Sequence, residues 1–264
     1  MADTPKPSKL TKLLSGWPKG TVAVQRWLKK QGVSRQLADR YCAFGWLRRL
    51  ERGAYARLSE SVEWTGALYA VQYQLDLPVH AGAKTALEFQ GYGHYVPLGE
   101  GARVQVFGPQ SGRLPAWFTK HDWKVSLKFV PTNLFHKTPE VGLTEKDMGD
   151  YRIRLSSPER AILEYLDQLP RTDSFEEAKF LMEGLNGLRP DILQQLLNHC
   201  RSVKAKRLFL FFAEYCEHQW VKDLNLETLD LGRGKRVLCL GGHLDPKYQI
   251  TVPFDRLKKE EALG

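Results

Sequence analysis

The stretch Thr21–Arg57, TVAVQRWLKKQGVSRQLADRYCAFGWLRRLERGAYAR, decides how the rest of this chain is read. At its centre is a stop followed at once by a start. Gly32 can close a helix in the left-handed conformation, and only Val33 separates it from Ser34, a strong N-cap for the next helix. Upstream, Val24, Trp27 and Leu28 recur at i, i+3 and i+4 and predict an apolar helix face, with Thr21 as its N-cap after the Lys19-Gly20 turn. Lys29 and Lys30 stand off that face. Downstream, the spacing predicts a helix from Ser34 to about Phe44. Leu37, Ala38, Tyr41 and Phe44 face inward there, and Arg35, Gln36, Asp39 and Arg40 share the opposite side. A short helix over Lys9–Leu14, closed by Ser15-Gly16-Trp17-Pro18, precedes both.

Helix, tight glycine-containing turn and helix form the helix-turn-helix pattern, whose second helix enters the DNA major groove. Arginine and glutamine near the start of that helix suit base-edge hydrogen bonds, Arg to guanine and Gln to adenine. A solvated face on an ordinary three-helix domain has the same pattern, and these two helices alone do not separate the readings. The following segment, Trp46–Arg57, adds a β-hairpin turning at Glu51-Arg52-Gly53, where glycine supplies the positive φ that such turns need. A hairpin directly after a recognition helix is a wing. Arg48, Arg49, Arg52 and Arg57 on it suit contacts to phosphates or the minor groove.

The charge is placed to match. Of the 39 basic and 30 acidic residues, 13 and 4 lie in residues 1–60, which leaves 26 of each for residues 61–264. The whole net charge of +9 therefore belongs to the first quarter of the chain. A basic module on a neutral remainder points to a polyanion as partner. A disordered basic tail is excluded by the apolar residues of 13–58, among them Leu13, Trp27, Leu28, Tyr41, Leu47 and Tyr55.

Residues 61–264 read as a larger mixed α/β domain, so the fold class expected for the chain is α+β: a winged helix-turn-helix over 1–60, then the mixed domain. Trp64–Leu75 and Lys84–Gln90 predict helices, and Arg103–Gly108, Lys124–Val130 and Tyr151–Leu155 alternate like strands. SSPERAILEYLD, Ser156–Asp167, opens a marked helix, with Ser156 and Glu159 spaced as a capping box and Pro158 in the first turn. Glu159 and Arg160 are expected to serve as cap and surface ion pair. Three more helices are expected, at Phe175–Leu185, Pro190–Cys200 and Val203–Tyr215. Gly234–Pro253 predicts two strands around a Gly-Gly/Asp-Pro turn, and the polar tail DRLKKEEALG, residues 255–264, is expected to fray.

A hydrophobic content of 42% and a charged content of 26% are ordinary for a soluble globular chain. No apolar run approaches the roughly 20 residues of a membrane helix. MADTPKPSKL lacks the apolar region of a secretory leader, so a cytoplasmic protein with no membrane association is expected. Cys42, Cys200, Cys216 and Cys239 are widely spaced, which suits reduced, mostly buried thiols and no zinc site.

Catalytic signatures are missing. The chain has no GxxxxGK[ST], GxGxxG, GxSxG or HExxH, and its seven histidines lack metal-ligand spacing. His80, His94 and His243 lie near glycines in loops, where structural roles are the simpler reading. One set resembles a metal-dependent nuclease, Asp173 with Glu177 and Lys179. It falls in a predicted helix whose charged side a solvated face explains as well. No enzyme, cofactor or metal is expected. The alternatives kept open are a winged-helix-guided nuclease and a non-catalytic winged helix that binds protein.

In this order, the basic module ending in RGAYAR (52–57), GAKTALEFQG (82–91) and SSPERAILEYLD resemble the AbiEi-type antitoxins of type IV toxin–antitoxin systems of abortive infection, over roughly residues 9–253. The resemblance implies a transcriptional autorepressor that binds double-stranded DNA at inverted repeats in its own promoter. It also implies a second domain that counteracts a nucleotidyltransferase toxin, typically without a stable complex. Carried onto this chain, the DNA-contact positions are Arg35, Gln36 and Arg40 in the second helix of the pair and Arg48, Arg49 and Arg52 in the wing. Lys29 and Lys30 join them from the preceding helix.

Overall fold

The structure is a computed structural model that describes residues 8–93, 101–171 and 174–253. The tail at 255–264, His94 and Asp173 lie outside the described residues. Among the described residues, helices and three sheets give an α+β fold. By its internal contacts the chain divides into two compact units. The first takes residues 1–80, 99–129 and 145–154, and the second takes 81–98, 130–144 and 155–264.

The first unit opens with α1 (Lys9–Ser15), β1 (Ala23–Val24), α2 (Gln25–Lys30), α3 (Arg35–Ala43), β2 (Leu47–Glu51) and β3 (Ala54–Arg57). The strands form an antiparallel sheet in the order β1-β3-β2. Leu13, Trp17, Ala23, Leu28, Val33, Ala38, Leu47 and Tyr55 make the core. Ser34 caps α3 as expected, its hydroxyl accepting from the Leu37 N–H at 3.2 Å. Glu51 pairs with Ala54, so Arg52 and Gly53 form the turn, and Gly53 has φ +84°.

Two expectations are corrected here. Thr21 does not cap α2. It is buried, its hydroxyl donating to the Pro18 carbonyl at 2.7 Å and accepting from the Trp17 indole at 3.0 Å. Helix α2 begins four residues later, because Ala23 and Val24 are drawn into β1 against Tyr55 and Ala54. Gln74 holds that segment open: its amide donates to the Val22 carbonyl at 2.7 Å and accepts from the Val24 N–H at 2.8 Å. Phe44, expected to face inward, is 69% exposed, since α3 stops at Ala43 and Gly45 turns the chain away with φ +72°. Trp46 and Leu58 are exposed nearby in the chain.

The predicted helix at Trp64–Leu75 is present as α4 (Trp64–Tyr69) continued by a π-helical turn, Ala70–Gln74. A five-stranded sheet follows in the order β6-β5-β4-β8-β7, with β4 at His80–Ala81, β5 at Arg103–Pro109, β6 at Ser126–Thr132, β7 at Leu143–Asp147 and β8 at Arg152–Ser156. Strand β7 and the short helix α6 (Ala116–Lys120) carry no clear sequence pattern. Leu143 is half-buried and Thr144–Asp147 are exposed, so β7 has no apolar alternation to read. His80 is buried and stacked on Phe107.

The second unit holds α5 (Ala83–Phe89), α7 (Pro158–Gln168), α8 (Phe175–Gly184), α9 (Pro190–His199) and α10 (Val203–Tyr215). The chain end forms three short strands rather than two: β9 (Arg236–Val237), β10 (His243–Asp245) and β11 (Ile250–Val252). Cys200 is the one fully buried thiol, and burial pushes it up to about 12. Cys42, Cys216 and Cys239 are only half-buried, against expectation.

The SSPERAILEYLD segment is corrected most. Ser157, not Ser156, precedes the helix, and no side chain caps it. Glu159 and Arg160 are not a surface pair: both are buried. Arg189 grips the Glu159 carboxylate with its backbone N–H and two guanidinium nitrogens at 3.0–3.1 Å, and the Ser157 hydroxyl donates to it at 2.6 Å. Arg160 instead pairs with Glu164 at 2.9 Å. Burial by itself raises the Glu159 pKa, but the bonds from Arg189 and Ser157 outweigh it and hold the carboxyl below the usual range. A folded-state pKa below the unfolded one gives stability above the ordinary glutamate range that is lost as pH falls through the folded value. The thermal midpoint should therefore drop with pH in the acid range, and Glu159→Gln should flatten that drop. An equal acid slope in wild type and variant would reject the assignment.

No helix among the described residues is long and apolar enough to cross a membrane.

Candidate nucleic-acid interface

Three short elements of the first unit build one basic concavity. The first N–H of α2, on Gln25, donates to the Gly53 carbonyl at 2.9 Å, which ties the helix start to the hairpin turn. The Gln25 amide also donates to the Val33 carbonyl at 3.4 Å, just ahead of α3. One glutamine thus links α2, the inter-helix turn and the hairpin. On the hairpin, Arg49 and Tyr55 are register partners, and the Arg49 guanidinium lies 5.6 Å from the centre of the Tyr55 ring. A register shift between Arg49 and Glu51 marks a bulge, a device that re-aims side chains at a strand end. Asp39 of α3 forms an ion pair with Arg49, joining the helix to β2.

The result is a cavity of about 330 Å³ lined by Gln25, Arg35, Arg49, Arg52, Gly53 and Tyr55. Arg35 enters from the first turn of α3, Arg49 from β2 and Arg52 from the turn. Three arginines line the cavity and no acidic residue does, although the Asp39 carboxylate is paired with Arg49 beside it. Tyr55 pushes the Arg49 guanidinium above its ordinary range; burial opposes this and Asp39 adds to it.

Eight positions were expected to contact DNA. Arg35, Arg49 and Arg52 are brought together. Gln36, Arg40, Lys29 and Lys30 are exposed and, among the described residues, have no side-chain partner, but they do not line the cavity. Arg48 is half-buried and donates to the Glu60 carbonyl at 3.2 Å. Arg57, expected on the wing surface, turns inward instead. Its guanidinium bonds Glu60 at 2.7 Å, the Leu14 carbonyl at 2.6 Å and the Trp17 carbonyl, and it lies over the Trp17 ring. Sequence reading missed Gln25 and Tyr55 as lining residues. Hairpin register could have paired Tyr55 with Arg49; Gln25 carried no local signal.

Glu177 and Lys179 of the nuclease-like set are engaged in other contacts. Glu177 is ion-paired with Lys84 and accepts from the Tyr165 hydroxyl at 3.0 Å. Lys179 lies over the Tyr215 ring and 3.7 Å from Glu183. Among the described residues no cluster of three His, Cys, Asp or Glu side chains is placed to hold a metal ion.

Comparison with known proteins adds the lineage. The fold is shared with the crystal structure of the RV2827C protein from Mycobacterium tuberculosis, at 16% identity and a TM-score of 0.57 over 98% of this chain and 97% of that one. No curated protein matches the sequence. Residues 6–98 match the family described as transcriptional regulator, AbiEi antitoxin N-terminal domain. Residues 101–253 match the family described as transcriptional regulator, AbiEi antitoxin, type IV TA system. With both halves matched in that order, the chain belongs to the AbiEi antitoxin family of transcriptional regulators of type IV toxin–antitoxin systems.

Proposed function

We propose that residues 1–60 act as a winged helix-turn-helix that binds double-stranded DNA, and that the protein represses its own promoter at inverted repeats. Helix α3 is the element that enters the major groove in this reading, and the β2–β3 hairpin is the wing. The observation that carries it is the convergence of Arg35, Arg49 and Arg52 between α3 and the wing. The placement of the entire +9 excess in residues 1–60 supports it. Arg40 on α3 and Lys29 and Lys30 on α2 are exposed and add positive charge to the same module, and Gln36 is exposed on α3. The remaining residues, 61–264, counteract a nucleotidyltransferase toxin without a stable complex. The family is a regulatory one, and the engagement of Glu177 and Lys179 elsewhere favours a non-catalytic role over nuclease chemistry.

The test uses the full chain, because Gln74, outside residues 1–60, holds the backbone of β1. Fluorescence anisotropy with a duplex drawn from the DNA upstream of the coding sequence should give tight binding at low salt. The log–log salt slope should be about 0.9 for each phosphate neutralised. No duplex affinity at 50 mM KCl, an ionic strength at which phosphate contacts are strong, would overturn the reading. A growth-rescue assay against a co-expressed nucleotidyltransferase toxin tests the antitoxin half. Growth arrest that persists when this protein is co-expressed would reject it.

A further inference from the structure

We infer that the cavity between α3 and the hairpin is a seat for a single DNA backbone phosphate, and that Arg35 serves that phosphate rather than a base. The inference deepens the DNA-binding reading and rests on it.

Bases lie on groove floors, and a side chain reads them by projecting outward from the protein. The phosphate backbone is the ridge of the duplex, and a ridge fits a concave site. Arg35, Arg49 and Arg52 line one concavity of about 330 Å³. They come from a helix start, a strand and a turn, so packing rather than sequence proximity makes the site. The buried Tyr55 ring contributes an unyielding wall, and Arg49 is held against it by Asp39. A guanidinium fixed in this way loses little freedom when it closes on a phosphate oxygen. The start of α3 adds the positive end of a helix dipole beside Arg35. Gln36 and Arg40, exposed on α3 outside the cavity, are then the side chains left for base edges.

Counting phosphates tests this. Full-length protein is titrated with the upstream duplex and with a scrambled duplex of equal composition, from 50 to 300 mM KCl, limits chosen to span a measurable slope. Arg35→Ala, Arg49→Ala, Arg52→Ala and the triple variant are compared with wild type, with thermal melting to confirm folding. One shared phosphate predicts that the triple variant loses about 0.9 from the salt slope, whereas each single variant, which leaves two guanidiniums on that phosphate, loses less. It also predicts that Arg35→Ala weakens both duplexes by the same factor, and that Arg49→Lys, which keeps the charge, retains the slope. A triple variant that loses about 2.7 would mean three separate phosphates and overturn the proposal. So would an Arg35→Ala loss confined to the upstream duplex, which would make Arg35 a base reader while leaving DNA binding intact. Wild-type protein that binds neither duplex would overturn the DNA-binding reading together with this one.

Discussion

Replacing Arg160 with alanine should cost the folded protein about 3–5 kcal/mol, the range found when one partner of a buried ion pair is removed. Arg160 and Glu164 are one helical turn apart on α7, and their side chains are 5% and 0% exposed. Glu164 uses both oxygens. One accepts from Arg160, and the other accepts from the Ser156 hydroxyl at 2.7 Å and the Ala83 N–H at 3.1 Å. Arg160 also donates to the carbonyls of Pro139 and Val141 at 2.6 and 2.9 Å and lies over the Phe135 ring. Alanine removes the cation from beside the buried Glu164 carboxylate and takes the guanidinium donor away from two carbonyls. Chemical denaturation of the variant measures the loss. The double variant Arg160→Met with Glu164→Gln should recover part of it, because no uncompensated charge remains. An Arg160→Ala variant within 1 kcal/mol of wild type, far below the range for buried pairs, would show that water reaches this network.

The second large effect runs against helix propensity. Gly66 lies inside α4, where alanine in place of glycine ordinarily gains about 1 kcal/mol. Here a Cβ at residue 66 would stand 1.9 Å from the Gly20 carbonyl oxygen and 3.1 Å from the Thr21 Cα. Both neighbours are backbone, so no side chain can swing aside. Gly20 itself has φ +68° and cannot readily adjust. Gly66→Ala should therefore destabilise the protein by about 3 kcal/mol, the upper part of the usual overpacking range. At this chain length that corresponds to a melting-point drop of roughly 10 °C. The Val22 N–H donates to the Gly66 carbonyl at 3.3 Å, so the same displacement disturbs the chain entering β1. A variant that melts at or above the wild-type temperature would mean that α4 and the Gly20 turn separate freely.

Much of the N-terminal architecture was legible because its signals are local. A serine hydroxyl reaches an N–H three residues on, so Ser34 marks the start of α3 without help from the rest of the chain. Gly53 permits a turn by its own backbone freedom. The helices after residue 155 carry long apolar stripes, and α10 runs over Val203–Tyr215 as its spacing predicts. Strand β7 was not legible, since four exposed polar residues of its five leave no alternation to detect.

The basic concavity shows where sequence stops and tertiary structure takes over. Residue identity alone determined that the excess charge lies in the first sixty residues, that a helix begins after Ser34 and that a hairpin turns at Gly53. Charge and turn chemistry are properties of the residues themselves. Which arginines point together was decided only in the folded chain. Arg49 is aimed by Tyr55 across the hairpin and by Asp39 from α3, whereas Arg57, eight residues further on, is pulled inward by the carbonyls of Leu14 and Trp17. Those partners lie 10 to 43 residues away along the chain, or across a strand pair. A flexible guanidinium takes its direction from whichever acceptors packing brings within reach, and packing is a property of the whole unit.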